Sequence, residues 1–138
     1  MTTVAQFAAS QGIPGVRKSF QVLLANARST ATTLIGGGRN CGIVVVKCTV
    51  AAVGAGSSPN ETFKIQMVSP GVAAADITAA GAATYAATST ATDLPITAAT
   101  GYAPSGAVFQ VVNTVSGGTC PPAMVMVEYI EDTGTLGL

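Results

Sequence analysis

Thr62-Phe63-Lys64-Ile65-Gln66-Met67-Val68 alternates without a break, with Phe63, Ile65 and Met67 on one side and Thr62, Lys64 and Gln66 on the other. A period of two with one apolar side is the pattern of a half-buried β-strand. Upstream, Ile43 to Val53 is a β-branched run. Its even positions Val44, Val46, Cys48, Val50 and Ala52 are wholly apolar, while Lys47 and Thr49 fall on the odd side. Between the two runs lies Gly54-Ala55-Gly56-Ser57-Ser58-Pro59-Asn60, a cluster of turn formers. Together they predict a long β-hairpin. A second pair is predicted over Ala107 to Asn113 and Ala123 to Glu131, joined by residues 114–122. In the last strand Ala123, Val125, Val127 and Tyr129 share one face, and Met124, Met126 and Ile130 share the other with Glu128. Two largely apolar faces predict a strand that is central in its sheet or covered by another subunit.

Away from these runs the pattern weakens. Val16, Phe20, Leu23, Leu24 and Ala27 fall at helical spacing, but Lys18 to Leu24 also fits a strand with Phe20, Val22 and Leu24 inward. The strand is the reading consistent with the rest of the chain. Residues 1–15, closing on Gly12, Pro14 and Gly15, read as an N-terminal arm leading into a single domain over 16–138. Residues 72–104 are rich in Ala and Thr. A short helix around Val72 to Ala80 and a strand edge at Asp93-Leu94-Pro95-Ile96-Thr97 are predicted there, among short strands and ordered loops. The fold class is all-β.

The chain has 138 residues with 24 Ala, 18 Thr and 16 Gly, six Lys+Arg, six Asp+Glu and no His. Charged residues make up 9%, against roughly 25% in an average soluble domain, so the surface has to be built from small and hydroxylated side chains. Without His there is no Ser/His/Asp triad, no Cys/His pair and no His-based metal site. No enzymatic activity and no cofactor are expected. Cys41, Cys48 and Cys120 are an odd set, and Cys41 and Cys48 lie too far apart along one strand to pair, so buried free thiols are predicted. Neither a membrane-spanning helix nor a signal peptide is read, which places synthesis in a cytoplasm.

The charges are distributed unevenly along the chain. Arg17, Lys18, Arg28, Arg39, Lys47 and Lys64 all precede residue 65 with one acid, Glu61, whereas Asp76, Asp93, Glu128, Glu131 and Asp132 follow it with no base. A basic half could dock on an acidic surface; if strands of the two halves interleave, the asymmetry cancels in space. Six scattered bases without interleaved aromatics do not make a nucleic-acid groove. Gly36-Gly37-Gly38-Arg39-Asn40 reads as a turn and not a phosphate cradle, since no Lys-Ser/Thr follows. Glu128, Glu131 and Asp132 read as a solvated end and not a cation site. Tyr85 and Tyr102 are packing residues with a capacity to stack on a sugar.

An all-β chain of this size, low in charge, rich in Ala, Thr and Gly, His-free and led by an arm, resembles the small structural proteins of tailed-phage virions. Among these it is most similar to capsid cement or decoration proteins. The resemblance implies a compact β-sandwich, often a jelly roll, that self-associates as a dimer or trimer and clamps neighbouring major capsid proteins on the capsid exterior. It carries no diagnostic motif, so residues are assigned on physical grounds. Arg17, Lys18 and Arg28 are the expected capsid contacts; Met124, Met126 and Ile130 are the expected subunit interface. The competing readings are a tail-tube or filament subunit, which would polymerise through open strand edges, and a carbohydrate-binding module using Tyr85 and Tyr102.

Overall fold

A computed structural model describes residues 17–85, 89–97 and 101–132. The expected arm over 1–15 lies outside these residues. Ten strands are formed: β1 (Lys18–Leu24), β2 (Ala31–Gly37), β3 (Gly42–Ala52), β4 (Ser57–Val68), β5 (Ala75–Asp76), β6 (Gly81–Ala82), β7 (Thr90–Leu94), β8 (Tyr102–Ala103), β9 (Val108–Thr119) and β10 (Ala123–Asp132). Two antiparallel sheets pack face to face. The front sheet runs β1-β10-β3-β7, with β8 also on β3; the back sheet runs β2-β9-β4-β5, with β6 also on β4. The first strands pair with the last, β1 with β10 and β2 with β9. This nesting is the connectivity of a rolled-up antiparallel ribbon, a jelly roll.

The nesting corrects both predicted hairpins. β3 pairs with β10, β7 and β8, whereas β4 pairs with β9, β5 and β6, so residues 53–56 carry the chain from front sheet to back. The strands predicted at 107–113 and 123–131 are divided between sheets in the same way. Alternation along a strand fixes which face is buried, but both inner faces of a sandwich meet in one core, and that arrangement needs no shared ladder. Gly56 marks the corner: its φ is +68°, and a Cβ there would lie 2.3 Å from the Thr119 carbonyl oxygen. Part of each expected loop is strand, since β4 already begins at Ser57 and β9 continues to Thr119.

β1 is a strand, with Leu24 buried and Phe20 and Val22 packed against the core. In β3 the inward side chains are Ile43 and Val45, then Cys48, Val50 and Ala52. Only the second group follows the predicted even face. The register against β10 steps from Glu128↔Lys47 to Tyr129↔Val45, which leaves Val46 as the extra residue of a β-bulge. A one-residue bulge reverses the parity of everything beyond it.

The described residues contain no helix. Where one was predicted around Val72 to Ala80, β5 forms and Ile77 and Thr78 turn inward, 1% and 0% exposed. The Ile65 amide donates to the Thr78 hydroxyl at 3.0 Å, and the Thr97 amide donates to the Ile77 carbonyl at 2.8 Å. Two buried β-branched residues held by cross-strand bonds override the helix preference of the alanines around them. The predicted strand edge near Asp93 is β7, which stops before Pro95. Between the sheets, Phe63, Ile65, Phe109 and Val111 of the back meet Cys48, Val50, Val125 and Val127 of the front, none above 1% exposed. Full burial of each large apolar side chain contributes about 1.5–3 kcal/mol, and Phe20 stacks on Tyr129 at 4.4 Å where β1 meets β10.

Candidate assembly surfaces

Each of the six basic residues lies within 4.0 Å of an acid. The pairs are Arg17–Glu128, Lys18–Glu131, Arg28–Glu61, Arg39–Glu131, Lys47–Asp93 and Lys64–Asp76. All but one join the basic half of the sequence to the acidic half. Interleaved strands therefore cancel the asymmetry in space.

Arg28 is the internal pair. Its side chain is 8% exposed and that of Glu61 is 0% exposed. The guanidinium grips the carboxylate with two bonds, Nη2 to Oε1 at 2.5 Å and Nε to Oε2 at 2.7 Å. Nη1 donates to the carbonyls of Pro121 and Ala25, and the guanidinium sits 5.6 Å from the centre of the Phe63 ring. Glu61 also accepts from Asn113 Nδ2 at 2.8 Å and from the Tyr85 hydroxyl. Burial, and then the neighbouring carboxylate, push the Tyr85 hydroxyl above its ordinary range. The cluster ties the β1–β2 corner, β4, β9 and the β9–β10 corner together at one end of the sandwich. Sequence reading missed it, although Glu61 shares the inward parity of Phe63 and Ile65, and an acid on a core face requires a cation.

The opposite end is closed by Glu131. Its Oε1 accepts from Lys18 Nζ and, at 3.0 Å, from Arg39 Nη2, while Oε2 lies 3.2 Å from the Cys41 thiol. The Lys18 bond first, and the Cys41 bond after it, hold this carboxyl below its ordinary value. Burial, then Glu131, raise the Cys41 thiol, and burial pushes Cys48 up to about 12. Cys41, Cys48 and Cys120 are free thiols, but Cys41 is only partly buried, unlike the other two. Among the described residues no group of three His, Cys, Asp or Glu is placed to hold a metal. Glu131 is thus a partnered end residue and not a solvated one.

The expected contact residues separate by face. Met124, Met126 and Ile130 share the outer face of the front sheet, and Arg17 lies at its margin on Glu128. Lys18 lies at the end of β1, tied to Glu131. Across this face Leu23, Met124, Ala51 and Ala91 form one row and Gln21, Met126, Thr49 and Asp93 the next. Leu23 is 68% and Met124 39% exposed. Ser19, Glu128 and Lys47 follow, and beyond the bulge Ile130, Val44 and Tyr102 are aligned. Tyr102 is exposed here, with its ring lying over Gly42. Of the two tyrosines weighed for sugar stacking, Tyr85 has its hydroxyl bound within the Arg28 cluster.

The outer face of the back sheet carries a chain of polar side chains across β9, β4 and β5, with Leu34 exposed beside it on the β2 edge. Gln110 Nε2 donates to Gln66 Oε1, and Gln66 Nε2 donates to Asp76 Oδ1, each at 2.9 Å. Lys64 stands 3.5 Å from the same carboxylate. The Gln66 bond and, less strongly, Lys64 hold Asp76 below its ordinary value.

No protein-family model matches the chain, and no curated protein matches it. Among solved structures it is similar to a chain in the structure of infectious bursal disease virus, Gx strain. That match has a TM-score of 0.45 and 10% identity over 83% of this chain and 32% of the other. A chain in the structure of the Gt strain gives a TM-score of 0.40 and 11% identity over 86% and 38%. The chain therefore spans about a third of the length of the chains it matches.

Proposed function

We propose that this chain is a structural protein of a virion, a cement or decoration protein that clamps neighbouring major capsid proteins. In this reading the outer face of the front sheet, where the sequence reading put the subunit interface of Met124, Met126 and Ile130, is instead the seat on the shell. The observation that carries it is the exposure of the cross-strand neighbours Leu23 and Met124, with the half-buried Met126 next along β10, on a sheet face whose charges are already paired within the chain. Contiguous exposed apolar surface on a folded domain marks an interaction site. Desolvating a face with few unpaired charges costs little, so a broad, shallow contact is favourable. Arg17 stands at the rim, able to exchange Glu128 for an acidic group of the shell. Arg28 contributes from inside, by fixing the end of the sandwich, and Lys18 sits at the end of β1. The arm over residues 1–15 would add a second grip.

Co-sedimentation with empty shells of the cognate major capsid protein tests the proposal. Binding is expected for the wild type, with on the order of 100-fold weakening when Leu23→Asp and Met124→Asp are combined. Equal binding by this variant would remove the front face from the account, and no binding by the wild type would refute the cement reading. Removal of residues 1–15 is expected to weaken binding while leaving the melting temperature in place. Unchanged binding would dismiss the arm.

A further inference from the structure

A sandwich has four open edges, and this one protects three of them. β5 and β6 are two residues each, too short to template a strand. β7 carries Asp93, and β1 carries Lys18 directly after Arg17. Short strands and edge charges are the usual defences against strand addition. β2, Ala31-Thr32-Thr33-Leu34-Ile35-Gly36-Gly37, has neither: it holds no charge and no proline and pairs only with β9 among the described strands. Leu34, the last residue of the regular ladder before the bulge, is 61% exposed.

We infer that the β2 edge is a homodimer seam, in which β2 of a second copy pairs antiparallel about a two-fold axis and joins the two back sheets. Symmetry limits the register. Residues opposite each other across a ladder point to the same face, so the axis must pass through a residue and not between two. With Thr33 on the axis, Thr32 lies opposite Leu34 of the second copy, and both are on the outer face. The exposed isobutyl group then packs on a threonine methyl at each end of the seam. A second copy is the occupant that the charge pattern favours. In an isologous pairing any charged residue in the strand would be repeated across the axis, and β2 has none to repeat. The bulge between Leu34 and Gly36 ends the straight part of the edge and so limits the seam to one copy's length. The inference does not depend on shell binding, which uses the other sheet.

Light scattering on a sizing column, with the full chain over a range of concentrations, tests the seam. A mass of twice 13.6 kDa is expected for the wild type. The double variant T32K/L34K places lysine opposite lysine twice and is expected to run as a monomer with an unchanged far-ultraviolet circular dichroism spectrum. T32D/L34K places the introduced aspartate opposite the introduced lysine and is expected to recover the dimer. Recovery by the mixed pair alone supports both the seam and its register. A monomeric wild type, a mass that grows without limit, a dimer indifferent to T32K/L34K, or failure of T32D/L34K to recover it would overturn the proposal.

Discussion

The outer faces of the two sheets are made by the same strand periodicity and have opposite chemistry. On the back, Gln110, Gln66, Asp76 and Lys64 bond to one another in a chain across three strands. On the front, Leu23, Met124 and Met126 occupy the corresponding outward positions, and Glu128 and Lys47 stand side by side on the two central strands beyond them, paired to Arg17 and Asp93. A polar ladder of this kind is satisfied in water and loses hydration when covered; an apolar row gains from being covered. Paired charges stand on both faces, so what separates them is the exposed Leu23 and Met124 on the front against the bonded Gln110, Gln66 and Asp76 on the back. This contrast is why the proposal seats the partner on the front face and leaves the back face to solvent.

The largest expected effect separates folding from this contrast altogether. Arg28→Ala strands Glu61 in the interior and is expected to lower unfolding free energy by about 3–5 kcal/mol in urea titration. A loss below about 1 kcal/mol would show that Arg28 is more exposed in solution, and would return it to the surface candidates. Next in size is the front face, where Leu23→Asp with Met124→Asp should act on binding and leave stability within about 1 kcal/mol. The mirror experiment on the back face, Lys64→Ala with Gln66→Ala, should leave shell binding within about two-fold and stability within about 1 kcal/mol. Equal losses of binding from the two faces would erase the distinction drawn between them.

The smallest effect is on pH dependence. Glu131 titrates below its ordinary value in the folded chain. Its contribution to stability is therefore complete above the usual carboxylate range and is lost as pH falls through the lowered folded value. Thermal melts between pH 7 and pH 3 should show a shallower acid-side decline for Glu131→Gln than for the wild type. An identical decline would mean that the Lys18 and Arg39 contacts do not persist in solution.

What was legible in the sequence follows from the range over which each signal acts. Strand identity over 43–53, 62–68 and 123–131 is a property of a few adjacent residues and was read directly, as was the inward set of Phe20, Val22 and Leu24. Sheet membership depends on contacts far along the chain, and adjacent strands that look like hairpins proved to lie in opposite sheets. The bulge at Val46 escaped because an unbroken apolar run hides a change of parity. Arg28 was placed on the surface because its partner, Glu61, falls between the turn cluster that ends at Asn60 and the alternating run that begins at Thr62, where its inward direction is not read. The Ala and Thr segment misled through composition, since two buried residues, Ile77 and Thr78, decide its course.

The central claim is that the front face is covered in the assembled particle. Met124 gives a direct reading, because a methionine that is 39% exposed is open to oxidation by dilute peroxide. Mass spectrometry of the free protein and of the shell-bound protein would follow its conversion to the sulfoxide. The account expects rapid oxidation of Met124 in the free protein and protection on the shell. Oxidation at the same rate in both states would contradict it.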